Sequence, residues 1–536
     1  MDDDTDLLLA AFVVLGCMTL PVMLRLAQGR RPRRRSEKLA EATDLVSLGG
    51  GRRLALTRDA FGERLVLLGG ATDLVIEPRI DDAPPALVEE APPAPPSELA
   101  GLFPLGLLSI LSGVLVGLLC GGFRLALQWA DAMRSAIPIW MQDRPALGCA
   151  IMIFGAAAAT WLAAFLVRRI VPSAVGSGIP HVESVLHRQE PPASPILLPV
   201  KFIGGVLAIG AGLALGREGP SVQMGATLAH QIARLFRRQW RDAEALLASG
   251  AGAGLAAAFN APLAGSAFVL EELLRRFDMR HATVALGSSV GAIAVMRLIV
   301  GPTPELRVAP HFDVAALDIA ASLLIGVAAG LVSLAYNRAI LGALDLADDL
   351  PWKIERKAAL VGAAIGALAF FAPGVVGGGE TLTQRTLDGD FALAALPIIF
   401  ALRFLLGVVS YAAGTPGGLF APLLTLGAEL GFFIGLVLHG ADAQEKGMAY
   451  AIVGMAAYFA AVVRAPLTGM ILITEMTNSS ELLLPMLAAC FAAMATAAAC
   501  RNEPIYDALK ERAARLARRA QEEAEDAAAP TRGRDD

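Results

Sequence analysis

The stretch "LALGREGPSVQMG", Leu213–Gly225, sets an arginine and a glutamate inside one of the most apolar parts of the chain. Across residues 192–216 the only charged side chain is Lys201. A carboxylate in such surroundings is costly unless it is paired or put to use. Gly216 and Gly219 loosen the backbone on either side, and Pro220 suits the first turn of a new helix. The pattern therefore predicts Glu218 just before a helix N-terminus within the membrane. Such a terminus carries roughly half a positive charge and free N–H groups, and it binds anions. The carboxylate reads as a tethered competitor there: ionised it holds the site, protonated it leaves. Arg217 offsets part of the local cost. The alternative is a buried Arg217–Glu218 pair that only fixes packing.

Composition places this stretch in a membrane protein. The chain has 536 residues, 18% charged and 55% hydrophobic, with mean hydropathy +0.57, against about 25% charged in a soluble domain. Apolar runs lie near 7–26, 104–127, 146–167, 196–215, 245–270, 282–300, 315–336, 357–372, 391–413, 419–438, 448–463 and 481–500. Each is long enough to cross or enter a bilayer. The 54 glycines and abundant alanines suit closely packed membrane helices. "GAGAGLAAAF" (Gly250–Phe259) follows no strand pattern, so it reads as helix packing and not as a nucleotide loop. The five cysteines show no CxxC spacing, and the six histidines form no HExxH or Cys/His cluster. No hydrolase nucleophile motif is present. The expectation is a non-enzyme with no metal or organic cofactor, surrounded by lipid and binding no nucleic acid.

Residues 1–35 read as an N-terminal transmembrane anchor, Leu7–Ala27, followed by the basic flank "RRPRRR" (Arg30–Arg35). The positive-inside rule sets those arginines in the cytoplasm. Residues 36–82 alternate in short runs between glycine turns and read as a small β-rich cytoplasmic segment. Residues 83–99 are a stiff Pro-rich linker. The membrane body spans 100–508, and 509–536 is a charged helical tail that frays.

The body repeats itself. "APLAGSAFVLEE" (Ala261–Glu272) and "APLTGMILITEM" (Ala465–Met476) share a start, with Glu271 and Glu475 each six residues beyond their glycine. The offset between Pro262 and Pro466 is 204 residues, and Gly216–Pro220 falls on Gly418–Pro422 at an offset of 202. Two motif pairs at nearly one offset divide the body into halves of about 100–300 and 301–508. Duplicated bodies with Gly- and Pro-broken segments in matching places are a transporter signature. The fold class expected is an all-α polytopic protein with broken, re-entrant helices.

"GSGIP" (Gly176–Pro180), "GREGP" (Gly216–Pro220) and "GGLFAP" (Gly417–Pro422) resemble the three signature motifs of the CLC chloride channel and transporter family. "LPVKF" (Leu198–Phe202), "GLAAAFNAPLAG" (Gly254–Gly265) and "VRAPLTGMILITEMT" (Val463–Thr477) are similar to its bacterial members. The resemblance implies an inverted, antiparallel repeat, a homodimer with one pore per subunit, and residence in the bacterial inner membrane. It implies a central chloride bound by the Ser177 hydroxyl, the N–H groups of Leu419 and Phe420, and the hydroxyl of Tyr506 in "NEPIYDALK" (Asn502–Lys510). Gly176, Gly178, Gly216, Gly219, Gly417 and Gly418, with Arg217, shape the backbone around it. Glu218 matches the external gating glutamate.

The second acid of "LEELL", Glu272, matches the internal glutamate through which exchangers of the family pass protons. Proton-coupled chloride/proton antiport is thus expected over a passive voltage- or pH-gated chloride channel, with Glu271 and Glu183 the next acids to consider. Ser177 and Tyr506 favour chloride among anions. The N-terminal unit is read as an assembly or interaction module with no partner named, or as a topogenic anchor.

Overall fold

The computed structural model describes residues 42–49, 52–59, 62–68, 74–76, 98–308, 316–440 and 444–528. The anchor, the basic flank, residues 83–97 of the linker and the last eight residues of the tail lie outside them. Four short strands, β1 (Ala42–Gly49), β2 (Arg52–Asp59), β3 (Gly62–Leu68) and β4 (Leu74–Ile76), pair antiparallel in the order β1-β2-β3-β4. The register slips between Ala42 and Asp44 and again between Ser47 and Gly49.

The body is helical. Its first half comprises α1 (Glu98–Trp140), α2 (Pro145–Ile170), α3 (Ile179–Leu186), α4 (Leu197–Gly210), α5 (Glu218–Leu235), α6 (Trp240–Phe259), α7 (Pro262–Phe268) and α8 (Met279–Val300). The second half repeats the series as α9 (Ala316–Asp349), α10 (Ile354–Phe371), α11 (Glu380–Leu387), α12 (Leu396–Ala412), α13 (Phe420–His439), α14 (Gln444–Val463), α15 (Pro466–Thr477) and α16 (Leu483–Ala499). A last helix, α17 (Ile505–Ala528), returns beneath the core.

Local chemistry sets the breaks. Both short helices α3 and α11 start after a left-handed glycine, Gly178 (φ 82°) and Gly379 (φ 100°), conformations a side chain would strain. Pro262 and Pro466 open α7 and α15 at the first helical position. The apolar run 245–270 is therefore not one span. Asn260, in the left-handed region, ends α6, and the chain restarts at Pro262 as the separate helix α7. Seven helices of the described residues are long and apolar enough to cross a membrane: α1, α2, α8, α9, α13, α14 and α16. The runs at 196–215 and 391–413 form the shorter α4 and α12.

The halves share their packing. A Cβ on Gly225 would fall 2.2 Å from the Gly250 carbonyl oxygen, and one on Gly427 would fall 2.6 Å from that of Gly454. Only glycine permits those backbones, α5 on α6 and α13 on α14, to lie so close.

Charge separates the two faces. On the face of α17, Arg275 pairs with Asp507 (2.9 Å), Lys510 with Glu183 (3.3 Å), Arg168 with Glu355 (2.5 Å) and Arg512 with Asp345 (2.9 Å). Among the described residues, five of the seven non-glycine residues with positive φ are arginines: Arg188, Arg237, Arg275, Arg464 and Arg501. Each follows a helical C-terminus on this face, where the partial negative charge of the helix end attracts a cation. The arginine excess makes this face cytoplasmic by the positive-inside rule. The opposite face holds Arg124, Arg217, Glu305 and Glu380.

Candidate functional site

Four chain segments converge at the centre of the body. The turn before α3 brings Ser177, the start of α5 brings Glu218, the start of α13 brings Leu419 and Phe420, and the start of α17 brings Tyr506. The two halves are sewn together here by backbone. Gly216 N–H donates to Gly418 O (2.8 Å) and Gly418 N–H donates to Gly216 O (2.7 Å). Gly176 N–H donates to Thr415 O (3.1 Å), and Gly417 N–H to Gly176 O (3.0 Å).

Glu218 is fully buried and is the first residue of α5, with Arg217 at the cap position. It thus lies one residue inside the helix rather than before it. Its Oε1 accepts the Phe420 N–H at 2.6 Å, so the carboxylate of one half occupies the helix N-terminus of the other. The cradle is shaped to it. A Cβ on Gly216 would stand 2.0 Å from Glu218 Oε2, and one on Gly418 would stand 2.1 Å from Oε1. Of the two N–H groups expected on a central anion, that of Phe420 is held here by Glu218, because an ionised carboxylate is itself the anion the terminus attracts.

Arg217 does not pair with Glu218. Its guanidinium donates to Glu305 (2.6 Å), to Glu380 (3.2 Å) and, through Nε, to the Ala258 carbonyl (2.8 Å). Glu305 also takes Arg124 at 2.8 Å. The arginine thus anchors the turn from the outer side. A cavity of about 490 Å³ opens outward from here, with Gly216, Arg217 and Glu380 among its lining residues.

Below Glu218 the side chains of Ser177 and Tyr506 are buried and their hydroxyls lie beside each other, and among the described residues neither makes a hydrogen bond of full geometry. A Cβ on Gly219 would lie 2.6 Å from Ser177 Oγ, which sets that hydroxyl against the start of α5. The Phe420 ring packs edge-on to Phe459 (4.6 Å between centroids) and lies 5.9 Å from Tyr506. Neutral hydroxyl donors free at a buried site fit a halide.

Glu272 lies in a π-turn, Val269–Leu273, that continues α7. It is buried, with Arg275 at 3.9 Å. Arg275 reaches Asp507, and Lys510 bridges Asp507 and Glu183 at 3.3 Å each. Glu272, Glu183, Asp507, Arg275 and Lys510 therefore make one charged cluster on the cytoplasmic side of Tyr506. A cavity of about 740 Å³, lined by Glu272, Arg275 and Asp507, opens beside it. Glu271 faces another way: its carboxylate accepts the N–H groups of Leu467 (2.9 Å) and Thr468 (2.6 Å) at the start of α15.

A family profile described as a voltage gated chloride channel matches residues 156–498. The chain is 37% identical over 414 residues to the H(+)/Cl(-) exchange transporter ClcA of Cronobacter sakazakii, covering 75% of this chain and 88% of that one. The chain belongs to the CLC family. Its similarity to ClcA of Salmonella typhimurium is 36% over 425 residues, covering 77% and 89% of the two chains. A crystal structure of a slow cyanobacterial Cl-/H+ antiporter superposes with a TM-score of 0.73 at 31% identity, over 76% of this chain and 97% of that one. The inverted repeat with broken helices is thus the CLC fold, and this CLC chain is a transport protein rather than an enzyme.

Sequence reasoning missed a matched pair of buried cations in this CLC body. Lys201 on α4 donates to the carbonyls of Ala174 (3.0 Å) and Gly176 (2.7 Å). Arg403 on α12 donates to those of Val375 (2.9 Å) and Gly377 (3.0 Å). Each secures the loop that leads to a left-handed glycine. The repeat offset held the signal, since Lys201 and Arg403 lie 202 residues apart (403 − 201) in apolar runs. Glu305 and Glu380, which fix Arg217, had no comparable mark.

Proposed function

We propose that this CLC protein exchanges chloride for protons across the bacterial inner membrane, with Glu218 as both outer gate and proton carrier. One observation carries the reading: Glu218 Oε1 accepts the Phe420 N–H at 2.6 Å, so a titratable carboxylate sits where an anion is drawn. Protonation removes the charge that holds it to the terminus of α13. The side chain then releases, and chloride takes the N–H groups of Leu419 and Phe420. The hydroxyls of Ser177 and Tyr506 donate to chloride from below.

Glu272 supplies the proton. It is buried within reach of a cytoplasmic cavity, and the Glu183–Lys510–Asp507–Arg275 cluster beside it gives protons a polar approach. An intramembrane acid so placed is a functional group by default. The names of the relatives, exchange transporters at 36–37% identity, support coupling over passive conduction. Two copies pair through the face of α7, α15 and α16, where Leu263, Leu467, Leu484, Leu487 and Phe491 are exposed.

The test is paired chloride and pH recording on proteoliposomes under opposed gradients. Wild type moves protons when driven by chloride alone. Glu218→Gln keeps a pH-insensitive chloride flux and loses proton movement, and Glu272→Gln keeps chloride flux and loses proton flux. A wild-type reversal potential set by chloride alone makes the protein a channel and overturns the reading.

A further inference from the structure

A second polar cavity opens on the cytoplasmic face, away from the ion site. Its volume is about 740 Å³, and it lies between the start of α1, the end of α3, the start of α6 and the loop leading into α8. Four arginines line it, Arg188, Arg241, Arg276 and Arg280, against two acids, Glu244 and Asp278. Both acids are committed. Glu244 holds Arg276 at 2.7 Å, and Asp278 accepts the His281 N–H (3.0 Å) and faces its Nδ1 (2.6 Å). Arg280 is paired with Asp242. Arg188 and Arg241 have no carboxylate partner among the described residues. Arg188 stands over the Trp240 ring at 5.9 Å and is held in a left-handed conformation (φ 59°). Two guanidinium groups thus face one cavity with their charge unspent.

Two apolar side chains share the lining. Leu102 lines the cavity, as does Met279, which is exposed over 74% of its surface. From Leu102 an exposed apolar track climbs α1 through Phe103, Leu107, Ile110 and Leu111. Nine residues of helix rise about 14 Å, close to the half-thickness of a hydrocarbon core about 30 Å deep. A soluble anion has no use for such a track. A molecule with a phosphate at one end and acyl chains at the other matches both the arginines and the track.

We propose that this cavity binds the headgroup of an anionic phospholipid of the inner leaflet. The phosphate lies between Arg188 and Arg241, and an acyl chain follows α1 from Leu102 to Leu111. Guanidinium groups suit phosphate because their planar donors meet its oxygens two at a time.

The experiment is native mass spectrometry of the detergent-purified full chain, titrated with phosphatidylglycerol or phosphatidylcholine. An exposed ion pair contributes up to about 1 kcal/mol, so two guanidinium groups together give a preference of up to about 30-fold for the anionic lipid. Arg188→Gln with Arg241→Gln brings that preference close to one. Arg237→Gln with Arg501→Gln, on the same face but outside the cavity, leaves it intact. Should the double variant not be recovered as a monodisperse protein, Arg241→Gln alone serves, with an expected loss of up to about fivefold. Equal binding of the two lipids by wild type, or a preference that survives in the cavity variant, overturns the site. Displacement of phosphatidylglycerol by millimolar inorganic phosphate overturns the lipid source, because it makes the natural ligand a soluble phosphate.

Discussion

Glu271 and Glu272 are neighbours with different duties, and exchanging one for glutamine separates them. Glu271 accepts two backbone N–H groups at the start of α15, at 2.9 and 2.6 Å, and the Thr468 hydroxyl at 2.8 Å. Glu475 returns the arrangement from α15 to α7, accepting the N–H groups of Leu263 (3.1 Å) and Ala264 (2.9 Å). Each carboxylate therefore caps the helix of the other half. A hydrogen bond to a charged acceptor contributes about 1.5–3 kcal/mol. Glu271→Gln keeps one carbonyl acceptor but loses the second acceptor oxygen and the charge, so it costs about 2 kcal/mol, roughly 30-fold in the unfolding equilibrium. Glu475→Gln costs a similar amount. The assay is a denaturant titration of each variant in detergent, run beside chloride-driven proton uptake in proteoliposomes. Glu271→Gln is expected to unfold earlier and still couple, whereas Glu272→Gln is expected to hold its stability and lose proton flux. A Glu271→Gln protein with wild-type stability and no proton uptake refutes the capping assignment and moves the proton path to Glu271.

Removing both hydroxyls at the central site, Ser177→Ala with Tyr506→Phe, is expected to weaken halide binding measured by calorimetry. Each neutral hydrogen bond contributes about 0.5–1.5 kcal/mol, so the double variant loses about 5- to 160-fold in affinity, and unchanged affinity counts against the site. Gly418→Ala puts a methyl group 2.1 Å from Glu218 Oε1. The carboxylate is then excluded from its cradle, and the ratio of chloride to protons read from reversal potentials rises; a wild-type ratio speaks against the cradle. Glu380→Gln frees Arg217 from one of its two carboxylates at the outer mouth. A partly exposed ion pair contributes up to about 1 kcal/mol, so half-saturation by external chloride falls up to about fivefold with coupling unchanged. An unchanged chloride dependence means Glu380 does not act on the approaching anion.

The sequence carried the parts of the site that depend on local backbone. Gly216, Gly219 and Pro220 placed a helix start, and a carboxylate beside it had to be an anion at an anion site. The repeat was readable because both halves kept the same breaks. What escaped was long-range. Nothing near Arg217 in the chain reveals Glu305, 88 residues away, or Glu380, 163 away. Local reasoning therefore had only the neighbouring Glu218 to set against Arg217, whose carboxylate partners are Glu305 and Glu380. Glu271 and Glu272 are alike as letters, and only the π-turn decides which of them meets the helix end and which meets the charged cluster. The break at Asn260 was hidden by hydropathy, because the residues around it are as apolar as those of a continuous span.

The buried cations Lys201 and Arg403 bear on how each half keeps its shape in its own orientation. Each brackets the loop before a left-handed glycine, in halves that face opposite sides of the membrane. The device works within each half, because neither copy needs the other's loop. Turning one half over leaves its own loop fastened, so the same bracing serves a half whichever way it faces. Direction is set instead by the arginines that follow the helical C-termini on the cytoplasmic face. The halves differ in what they bring to the seam, one the Glu218 carboxylate and the other the Phe420 N–H that it accepts.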